Sequence, residues 1–393
     1  MTGAPDTAVE SRGDDAPKES ENASARHLAW TALQRIDHNG AYANIVVPAM
    51  LANSGLDERD RKFVTNLVYG ATRMRRALDD LMEPFLLREP DDAVRSLLRL
   101  GVYQLHFLGT PPHAAVSATV ELAPKKARGF VNAVLRRVSE IQPSWPDDGV
   151  RLSYPAWLVD RLRNEWGGDD TLAMLEHMNR PATVTERDDG YVQDLSSQWV
   201  VAEVAAEAGH LVADVCAAPG GKATAIASTG ATVIAGDRRR SRAGLVRTNA
   251  ERVGSESLSV LVADGANPAL RPASFDRVLV DAPCSGVGVL RRRPDARWHI
   301  DHDSAERLAV LQQSLLVSAA DLVKPGGQLV YSVCTILAVE TAGVAAAVPA
   351  GFSPRPLVGD HWRPLEAHGE GGGVILPHDN DTDGMAVFAW QRD

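Results

Sequence analysis

The run Asp214-Val215-Cys216-Ala217-Ala218-Pro219-Gly220-Gly221-Lys222 sets the architecture of the C-terminal half of this chain. It follows a short apolar segment and ends in paired glycines before a helical pattern. Such a strand-to-helix turn lets the backbone approach a ligand closely. The glycine spacing matches neither the G-x-G-x-x-G dinucleotide fingerprint nor a phosphate-binding P-loop. A nicotinamide-dependent enzyme is therefore disfavoured, and the alternative to a ligand-binding turn is a purely structural one.

Short β-branched runs alternate with helical patterns around this turn. The predicted strands are Leu211 to Val215, Thr232 to Ala235, Ser259 to Val262, Arg277 to Val280 and Gln328 to Tyr331. This alternation predicts an α/β doubly wound parallel sheet. Ligands of such sheets bind beyond the carboxyl ends of the strands, so we expect the chemistry in the residues that follow each run.

An acidic residue follows each of the second and third predicted strands. Asp237, in Ala235-Gly236-Asp237, is placed to accept hydrogen bonds from ribose hydroxyls. Asp264, in Val262-Ala263-Asp264-Gly265, could hold an adenine amino group, although a lone Asp-Gly pair is equally a turn. Together with the glycine turn, the two acids form the spaced set expected of an S-adenosylmethionine pocket.

Two cysteines follow the last two predicted strands, in Asp281-Ala282-Pro283-Cys284 and Tyr331-Ser332-Val333-Cys334. A thiolate that adds to carbon 6 of a pyrimidine makes carbon 5 nucleophilic enough to attack a methyl sulfonium. A carboxyl such as Asp281 near N3 would stabilise that adduct. Either cysteine alone is more commonly a small buried hydrophobe. The two cysteines with Asp281 predict methyl transfer to pyrimidine carbon 5.

The composition is that of a globular protein with 393 residues, 45% of them apolar, and a net charge of -10. With 3 cysteines, a disulfide framework is not expected. No run approaches the roughly 18 apolar residues of a membrane helix. Residues 1–25 are polar and acidic, which predicts a disordered tail rather than a signal peptide. We therefore expect a cytoplasmic enzyme.

The N-terminal half has a helical pattern throughout residues 26–140. Apolar residues recur at three and four spacings in Leu28 to Ile36, Phe63 to Tyr69, Val94 to Leu108 and Phe130 to Val138. Its histidines stand apart from carboxylates and cysteines, so no metal site is expected. Residues 142–149 are rich in turn-forming residues and predict a linker. A helical pair follows, Pro155 to Trp166 and Asp170 to Met178.

Basic residues cluster at Arg73 to Arg76 and at Arg238 to Arg242. Such clusters are more often solvated helix faces than phosphate clamps, and we predict the solvated face for both. The negative net charge argues against a protein that coats nucleic acid indiscriminately, because phosphate binding needs clustered Lys and Arg.

These motifs resemble the bacterial ribosomal RNA cytosine-C5 methyltransferases of the Sun/Fmu type, which carry a helical domain resembling the antitermination factor NusB. The resemblance covers nearly the whole chain after the tail. Its motifs are Val192-Gln193-Asp194 with Ser197-Gln198, the turn Cys216 to Lys222, the run Asp281 to Trp298, and Thr382-Asp383-Gly384. It implies an all-α NusB-like RNA-binding domain at 26–140, a linker and shortened substrate-facing subdomain at 141–195, and a Rossmann-like class I methyltransferase domain at 196–393.

The resemblance also implies residue roles. Cys334 matches the cysteine that attacks carbon 6, and Cys284 matches the Pro-Cys cysteine that assists release of the methylated RNA. In DNA cytosine methyltransferases the Pro-Cys cysteine is the nucleophile, which would be Cys284 here; the second cysteine favours RNA. The cofactor is S-adenosylmethionine, and Arg291 and Arg292 are expected near the RNA. The implied cofactor contacts are Cys216, Ala217, Ala218, Pro219, Gly220, Gly221, Lys222, Asp237, Asp264 and Asp281.

The expected partner is small-subunit ribosomal RNA or the subunit itself, bound by a monomer. The same chemistry on another RNA, such as transfer RNA, is one alternative. A NusB-like RNA-binding protein with a decayed methyltransferase half is another.

The chain departs from the family pattern at two places. After Cys334-Thr335 the usual Pro and Asn are missing, although Glu340 is kept. The segment Arg180 to Tyr191 replaces a subdomain of several tens of residues in the family. We expect this shortening to impair presentation of the RNA and to leave cofactor binding near normal.

Overall fold

The computed structural model describes residues 25–365 and 371–393. The tail predicted over residues 1–25 therefore lies outside the described residues, apart from Ala25. No helix in these two ranges is long and apolar enough to cross a membrane.

Seven helices form the N-terminal part, called the helical domain below. They are α1 (Ala25–Asn39), α2 (Ala43–Ala52), α3 (Glu58–Arg73), α4 (Arg75–Met82), α5 (Asp92–His106), α6 (Pro112–Leu122) and α7 (Arg128–Glu140). The side chains of Asp57 and Asp91 accept backbone N–H bonds at the starts of α3 and α5, as N-caps do. Helix α5 contacts α1, α3, α4, α6 and α7 and buries Leu97, Leu98 and Leu100 among them. The all-helical prediction is confirmed.

Two further helices follow the linker, α8 (Asp148–Arg151) and α9 (Ala156–His177). Helix α9 is broken at Gly167, whose φ of 78° is left-handed and favours glycine. This break separates the two helices predicted from the sequence. Residues 181–194 then run without a helix to α10 (Leu195–Val204), and Glu186 and Val192 form an isolated antiparallel bridge within them.

The C-terminal part is built on a nine-stranded sheet. Its strands are β1 (Leu211–Asp214), β2 (Thr232–Asp237), β3 (Leu258–Val262), β4 (Phe275–Asp281), β5 (Val323–Val333), β6 (Phe352–Pro354), β7 (Arg363–Pro364), β8 (Gly372–Ile375) and β9 (Met385–Arg392). The intervening helices are α11 (Gly221–Ala227), α12 (Arg240–Arg252), α13 (Ala296–His299), α14 (Ser304–Ala320) and α15 (Ala342–Ala345).

The strand order is β3-β2-β1-β4-β5-β9-β8-β7, with β6 also paired to β9. The first five strands are parallel and coincide with the five predicted strands. The parallel sheet predicted from these five runs is confirmed. It is extended by strands that the sequence did not predict, in which β9 pairs antiparallel with β5, β6 and β8. Residues 376–384 join β8 to β9, and this connection is shorter than the dozen or so residues that a crossover to a parallel strand needs.

The order of the sheet reverses at β1, which lies between β2 and β4. A crevice opens beyond the carboxyl ends of the strands at such a switch point. The turns that carry the predicted cofactor and cysteine residues all follow these strand ends, so the fold brings them to one edge.

The helical domain is joined to the sheet domain through polar contacts. Arg76 Nη1 donates to Tyr154 O at 2.6 Å, and Trp298 Nε1 donates to Thr72 O at 2.7 Å. Arg297 is fully buried, and its Nη1 donates to Ser153 O at 3.1 Å. The solvated face predicted for residues 73–76 is therefore wrong, because these residues fill this junction. Residues 238–242 are all exposed, as the solvated face predicted there requires.

Candidate active site

The glycine turn after β1 is shaped by two close contacts. Gly220 has a φ of 110°, and a Cβ there would lie 3.1 Å from the Cα of Val246. A Cβ on Gly221 would lie 3.1 Å from the ring of Tyr191. The peptide bond before Pro219 is cis. A side chain at either glycine would fill the space against α12 and Tyr191, so the turn forms an open backbone cradle.

Three polar side chains meet directly beside this turn. Lys222 Nζ donates to Asp281 Oδ2 at 2.8 Å, and Ser332 Oγ donates to Asp281 Oδ1 at 2.8 Å. Burial would lower the pKa of Lys222, but the charge of Asp281 and the hydrogen bond outweigh it, so the pKa is raised. The ammonium stays charged and fixes the orientation of the Asp281 carboxylate.

Asp214, the last residue of β1, is buried next to this group. Its Oδ1 accepts a bond from Cys216 N at 3.3 Å, and its Oδ2 has no hydrogen-bond partner among the described residues. Burial, followed by the charge of Asp281, raises the Asp214 pKa to about 7. A carboxyl in this environment carries a proton well above the pH at which an exposed aspartate loses it.

The two predicted catalytic cysteines lie against each other. The sulfurs of Cys284 and Cys334 are 3.3 Å apart. A hydrogen bond from the Cys284 thiol lowers the pKa of Cys334, and Lys222 and Arg293 act in the same direction. The same hydrogen bond, with burial, raises the pKa of Cys284. The geometry therefore favours a Cys334 thiolate and a protonated Cys284.

A buried glutamate holds the two cysteine loops together. Glu340 is fully buried; its Oε2 accepts from Ser285 Oγ at 2.5 Å and its Oε1 from Ser285 N at 2.8 Å. Gln312 Nε2 donates to the same Oε1 at 3.0 Å. Ser285 follows Cys284, and Glu340 follows the loop of Cys334. Glu340 was not predicted as a site residue. The signal in the sequence was that Glu340 is kept after Cys334-Thr335, where the usual Pro and Asn of the family are missing.

The glycine of the C-terminal motif Thr382-Asp383-Gly384 packs on the cysteine loop. Gly288 N donates to Cys334 O at 3.1 Å, and Gly384 N donates to Gly288 O at 2.9 Å. A Cβ on Gly288 would lie 2.1 Å from Gly384 O. The two backbones can approach this closely only because both residues are glycines.

The remaining predicted cofactor residues lie along the same edge. Asp237 is buried, with Oδ1 accepting from Arg239 N at 2.9 Å and Oδ2 lying 3.3 Å from Arg242 Nε. Asp264 is exposed and accepts from Ala266 N at 3.1 Å, a turn contact. Burial raises the pKa of Cys216, so its thiol stays protonated in the glycine turn, away from the cysteine pair. The cradle and the Asp237 carboxylate fit an adenosyl cofactor.

The two arginines predicted near RNA have internal partners. Arg291 is buried, forms an ion pair with Asp381 at 2.7 Å and donates to Pro181 O at 2.5 Å. Arg292 forms ion pairs with Asp194 at 2.7 Å and Asp383 at 2.9 Å. Both side chains tie the 180–194 segment to the cysteine-bearing loop. Their contact with RNA stays a prediction.

The sheet order, the glycine cradle after β1 and the buried acid after β2 define the class: an S-adenosylmethionine-dependent methyltransferase with a Rossmann-like fold. Comparison with known proteins narrows this class. Residues 201–390 match the family described as 16S rRNA methyltransferase RsmB/F, and residues 23–140 match the NusB family.

Relatives align over nearly the whole chain. The Ribosomal RNA small subunit methyltransferase B of Thermus thermophilus is 36% identical, over 93% of this chain and 97% of its own length. A putative methyltransferase of Mycobacterium tuberculosis, Rv1407, is 34% identical, over 94% of this chain and 96% of its own. The crystal structure of PH0851 has a TM-score of 0.79 at 20% identity, over 94% of this chain and 98% of that one. The chain belongs to the RsmB/F family of rRNA methyltransferases.

Proposed function

We propose that this chain methylates carbon 5 of a cytosine in 16S rRNA, with Cys334 as the nucleophile. The observation that carries the proposal is the cysteine pair, 3.3 Å apart, in which the Cys334 pKa is lowered and the Cys284 pKa is raised. A lowered pKa increases the fraction of thiolate, which is the reactive form. The substrate follows from relatives named for small-subunit ribosomal RNA.

The residues of the chain divide the reaction between them. The Cys334 thiolate forms a bond to carbon 6, and the electrons of the carbon 5–carbon 6 double bond then become available at carbon 5. Asp281, oriented by Lys222 and Ser332, keeps a free lone pair on each oxygen for the pyrimidine edge. Bound S-adenosylmethionine supplies the methyl group, and the glycine cradle with Asp237 would hold it.

Cys284 belongs to the final step. A water molecule acting as base takes the proton from carbon 5, and the electrons of that bond restore the double bond. The bond from carbon 6 to sulfur then breaks, and Cys334 leaves as a thiolate. Because its sulfur lies 3.3 Å from that of Cys334, Cys284 would be beside that breaking bond. This position supports a role for Cys284 in product release rather than in attack.

Replacing each cysteine tests the assignment. Cys334→Ala should abolish methyl transfer and the covalent RNA adduct, whereas Cys284→Ala should accumulate an adduct that survives denaturing electrophoresis. Cys216→Ala is the control: it should still form and release the adduct, even where its cofactor affinity changes. An adduct from Cys334→Ala, or none from Cys284→Ala, would reverse the roles and contradict the proposal.

We also propose a role for each domain, an oligomeric state and an RNA substrate. We place RNA binding in residues 26–140, the shortened substrate-facing segment in 141–195 and the chemistry in 196–393. A monomer is sufficient, because Cys284, Cys334 and Asp281 come together within one chain. We propose the cytoplasm as its location. Mapping of methylcytosine after incubation with ribosomal subunits, free 16S rRNA and transfer RNA tests the substrate; methylation of transfer RNA alone would contradict it.

A decayed methyltransferase half is not favoured. The Lys222–Asp281 ion pair, the Ser332 hydrogen bond and the cysteine pair are all intact. A non-catalytic protein would have no need of this arrangement.

A further inference from the structure

A groove of about 910 Å³ lies at the junction of the helical domain and the sheet domain. One wall is α3, and the other is formed by residues 181–184 and the Arg291–Arg292 backbone turn. Five of its lining residues are basic and one is acidic: Arg61, Lys62, Arg73, Arg291, Arg292 and Glu58. This basic groove stands out in a chain whose net charge is -10.

Two of the five cations lack an acidic partner among the described residues. Lys62 pairs with Glu58, Arg291 with Asp381, and Arg292 with Asp194 and Asp383. Arg61 is exposed and forms no ion pair within the described ranges.

Arg73 lies at the inner end of α3. Its Nη2 donates to Arg291 O at 3.2 Å, and its Nε is buried without a partner among the described residues. Burial lowers the pKa of Arg73, and the nearby Arg291 charge adds to this effect. A half-buried guanidinium with so few acceptors is electrostatically costly, and an anion in the groove would relieve that cost.

The groove is connected to the reaction site by a short stretch of chain. The segment from Cys284 to Arg293 begins at the cysteine pair and passes Arg291 and Arg292, which line the groove. Arg293 at its end is close enough to lower the Cys334 pKa. A nucleotide strand whose base reaches the cysteine pair would therefore have its neighbouring residues near this groove.

We propose that this groove binds the phosphate backbone of the RNA that flanks the target cytosine. This inference rests on the proposed function and deepens it. Arg61 and Arg73 supply donors that have no acid of their own, and Val184, which is 71% exposed, offers an apolar contact for a sugar or base. The helical domain thus contributes one wall of the RNA site.

Removing the exposed charges of α3 tests the proposal in the full-length chain. Arg61→Gln with Lys62→Gln should weaken binding of a 16S rRNA fragment severalfold at moderate salt. The slope of log affinity against log salt should fall by about 1 to 2, since each phosphate contact releases about one counterion. The exposed Lys62–Glu58 pair contributes little to stability, so this variant should fold normally.

Lys125→Gln with Lys126→Gln is the matched control. These two lysines are also adjacent and exposed in the helical domain, but they lie outside the groove lining. The same loss of charge there should leave the salt slope unchanged. Arg73→Gln, checked for folding by urea unfolding, should weaken RNA binding without changing the affinity for S-adenosylmethionine.

The outcomes separate this inference from the proposed function. Suppose that the unmodified chain methylates the fragment and that both double variants bind the fragment as tightly as the unmodified chain does. The groove inference is then overturned, and the proposed function stands. The groove is also excluded as an RNA site if the α3 variant loses affinity for protein-containing subunits while binding naked RNA normally. If the unmodified chain forms neither product nor adduct with any RNA, the proposed function itself fails.

Discussion

Asp237 and Asp214 are both buried carboxylates at the carboxyl edge of the sheet, but their surroundings differ. Asp237 accepts a backbone bond from Arg239 and lies near the guanidinium of Arg242. Asp214 has an oxygen without a partner among the described residues, and its pKa is raised to about 7. The first environment suits a ligand acceptor, and the second suits a protonated carboxyl.

Asp237→Ala should weaken S-adenosylmethionine binding by about 1 to 3 kcal/mol, because buried ribose hydroxyls would lose their acceptor. Isothermal titration calorimetry measures this directly. RNA affinity, measured in parallel, should be unchanged. Unaltered cofactor affinity would leave Asp237 as a turn residue that only holds Arg239.

Asp214→Asn should change the pH dependence of stability. The folded pKa of Asp214, about 7, lies above the ordinary aspartate value of 3.8. The stability that the neutral carboxyl contributes is therefore complete below about pH 4 and is lost as the pH rises through about 7. An asparagine does not ionise, so between about pH 5 and about pH 8 the variant should gain roughly 2 to 3 kcal/mol relative to the unmodified chain.

Urea unfolding of both proteins without cofactor at several pH values measures this difference. A constant difference across the range would show that Asp214 ionises normally in the folded protein.

At the level of secondary-structure elements, the segment 180–191 contacts the glycine turn, which its sequence did not predict. Arg187 Nη1 donates to Gly221 O at 2.6 Å and to Gln193 Oε1 at 3.0 Å, and its Nη2 donates to Thr224 Oγ1 at 3.1 Å. The guanidinium also lies 4.7 Å from the Tyr191 ring. The segment therefore supports the glycine cradle from outside the sheet. From the sequence, the shortening of this segment was expected to affect only the presentation of the RNA and to leave cofactor binding near normal.

Arg187→Met should weaken S-adenosylmethionine binding by about 1 to 2 kcal/mol, because hydrogen bonds from a charged donor to the turn are lost. Arg187→Lys should restore only part of the affinity, since an ammonium cannot reproduce the planar fork. Arg252→Met is the control, because Arg252 stacks on the same Tyr191 ring at 4.9 Å and shows no bond to the glycine turn. Equal affinities for all variants would limit Arg187 to a surface role.

At the level of the whole molecule, the helical and sheet domains are held together by a buried polar junction. Arg297 Nη1 donates to Arg73 O, in the helical domain, at 3.4 Å. It also donates to Ser153 O and Asn179 Oδ1, both at 3.1 Å, and the guanidinium lies 3.9 Å from the Tyr154 ring. Burial lowers the Arg297 pKa to about 10. A chain truncated near Arg151 would expose this junction, so the RNA affinity of the helical domain is better tested in the full-length protein.

Arg297→Met should destabilise the protein by about 3 to 5 kcal/mol, because several buried acceptors lose their donor together. Arg307→Met on α14 should cost less than about 1 kcal/mol, because its ion pair with Asp301 is 60% and 64% exposed. Chemical unfolding followed by circular dichroism measures both changes. Similar small losses for the two variants would show that the junction contributes little to stability.

Much of this architecture was predictable from sequence because it depends on local patterns. Apolar periodicity predicted the helices around Leu97 and Leu135, and β-branched runs predicted β1 to β5. The motifs at Cys216 to Lys222 and at Cys284 and Cys334 predicted the family, the S-adenosylmethionine cofactor and the RNA methyltransferase class. The individual roles of the cysteines and arginines stay predictions, since they depend on contacts with RNA.

Folding was needed for features formed by residues far apart in the chain. Strands β6 to β8 have only 2 to 4 residues each, and β9 is placed in the sheet by pairing with β5, more than fifty positions earlier in the chain. Arg73 belongs to a domain junction only because Arg291 packs on it, and Glu340 holds Ser285 from the other cysteine loop. A local pattern indicates which backbone conformation and which face a residue prefers, but a buried charge is stable only beside a partner that the whole fold brings to it.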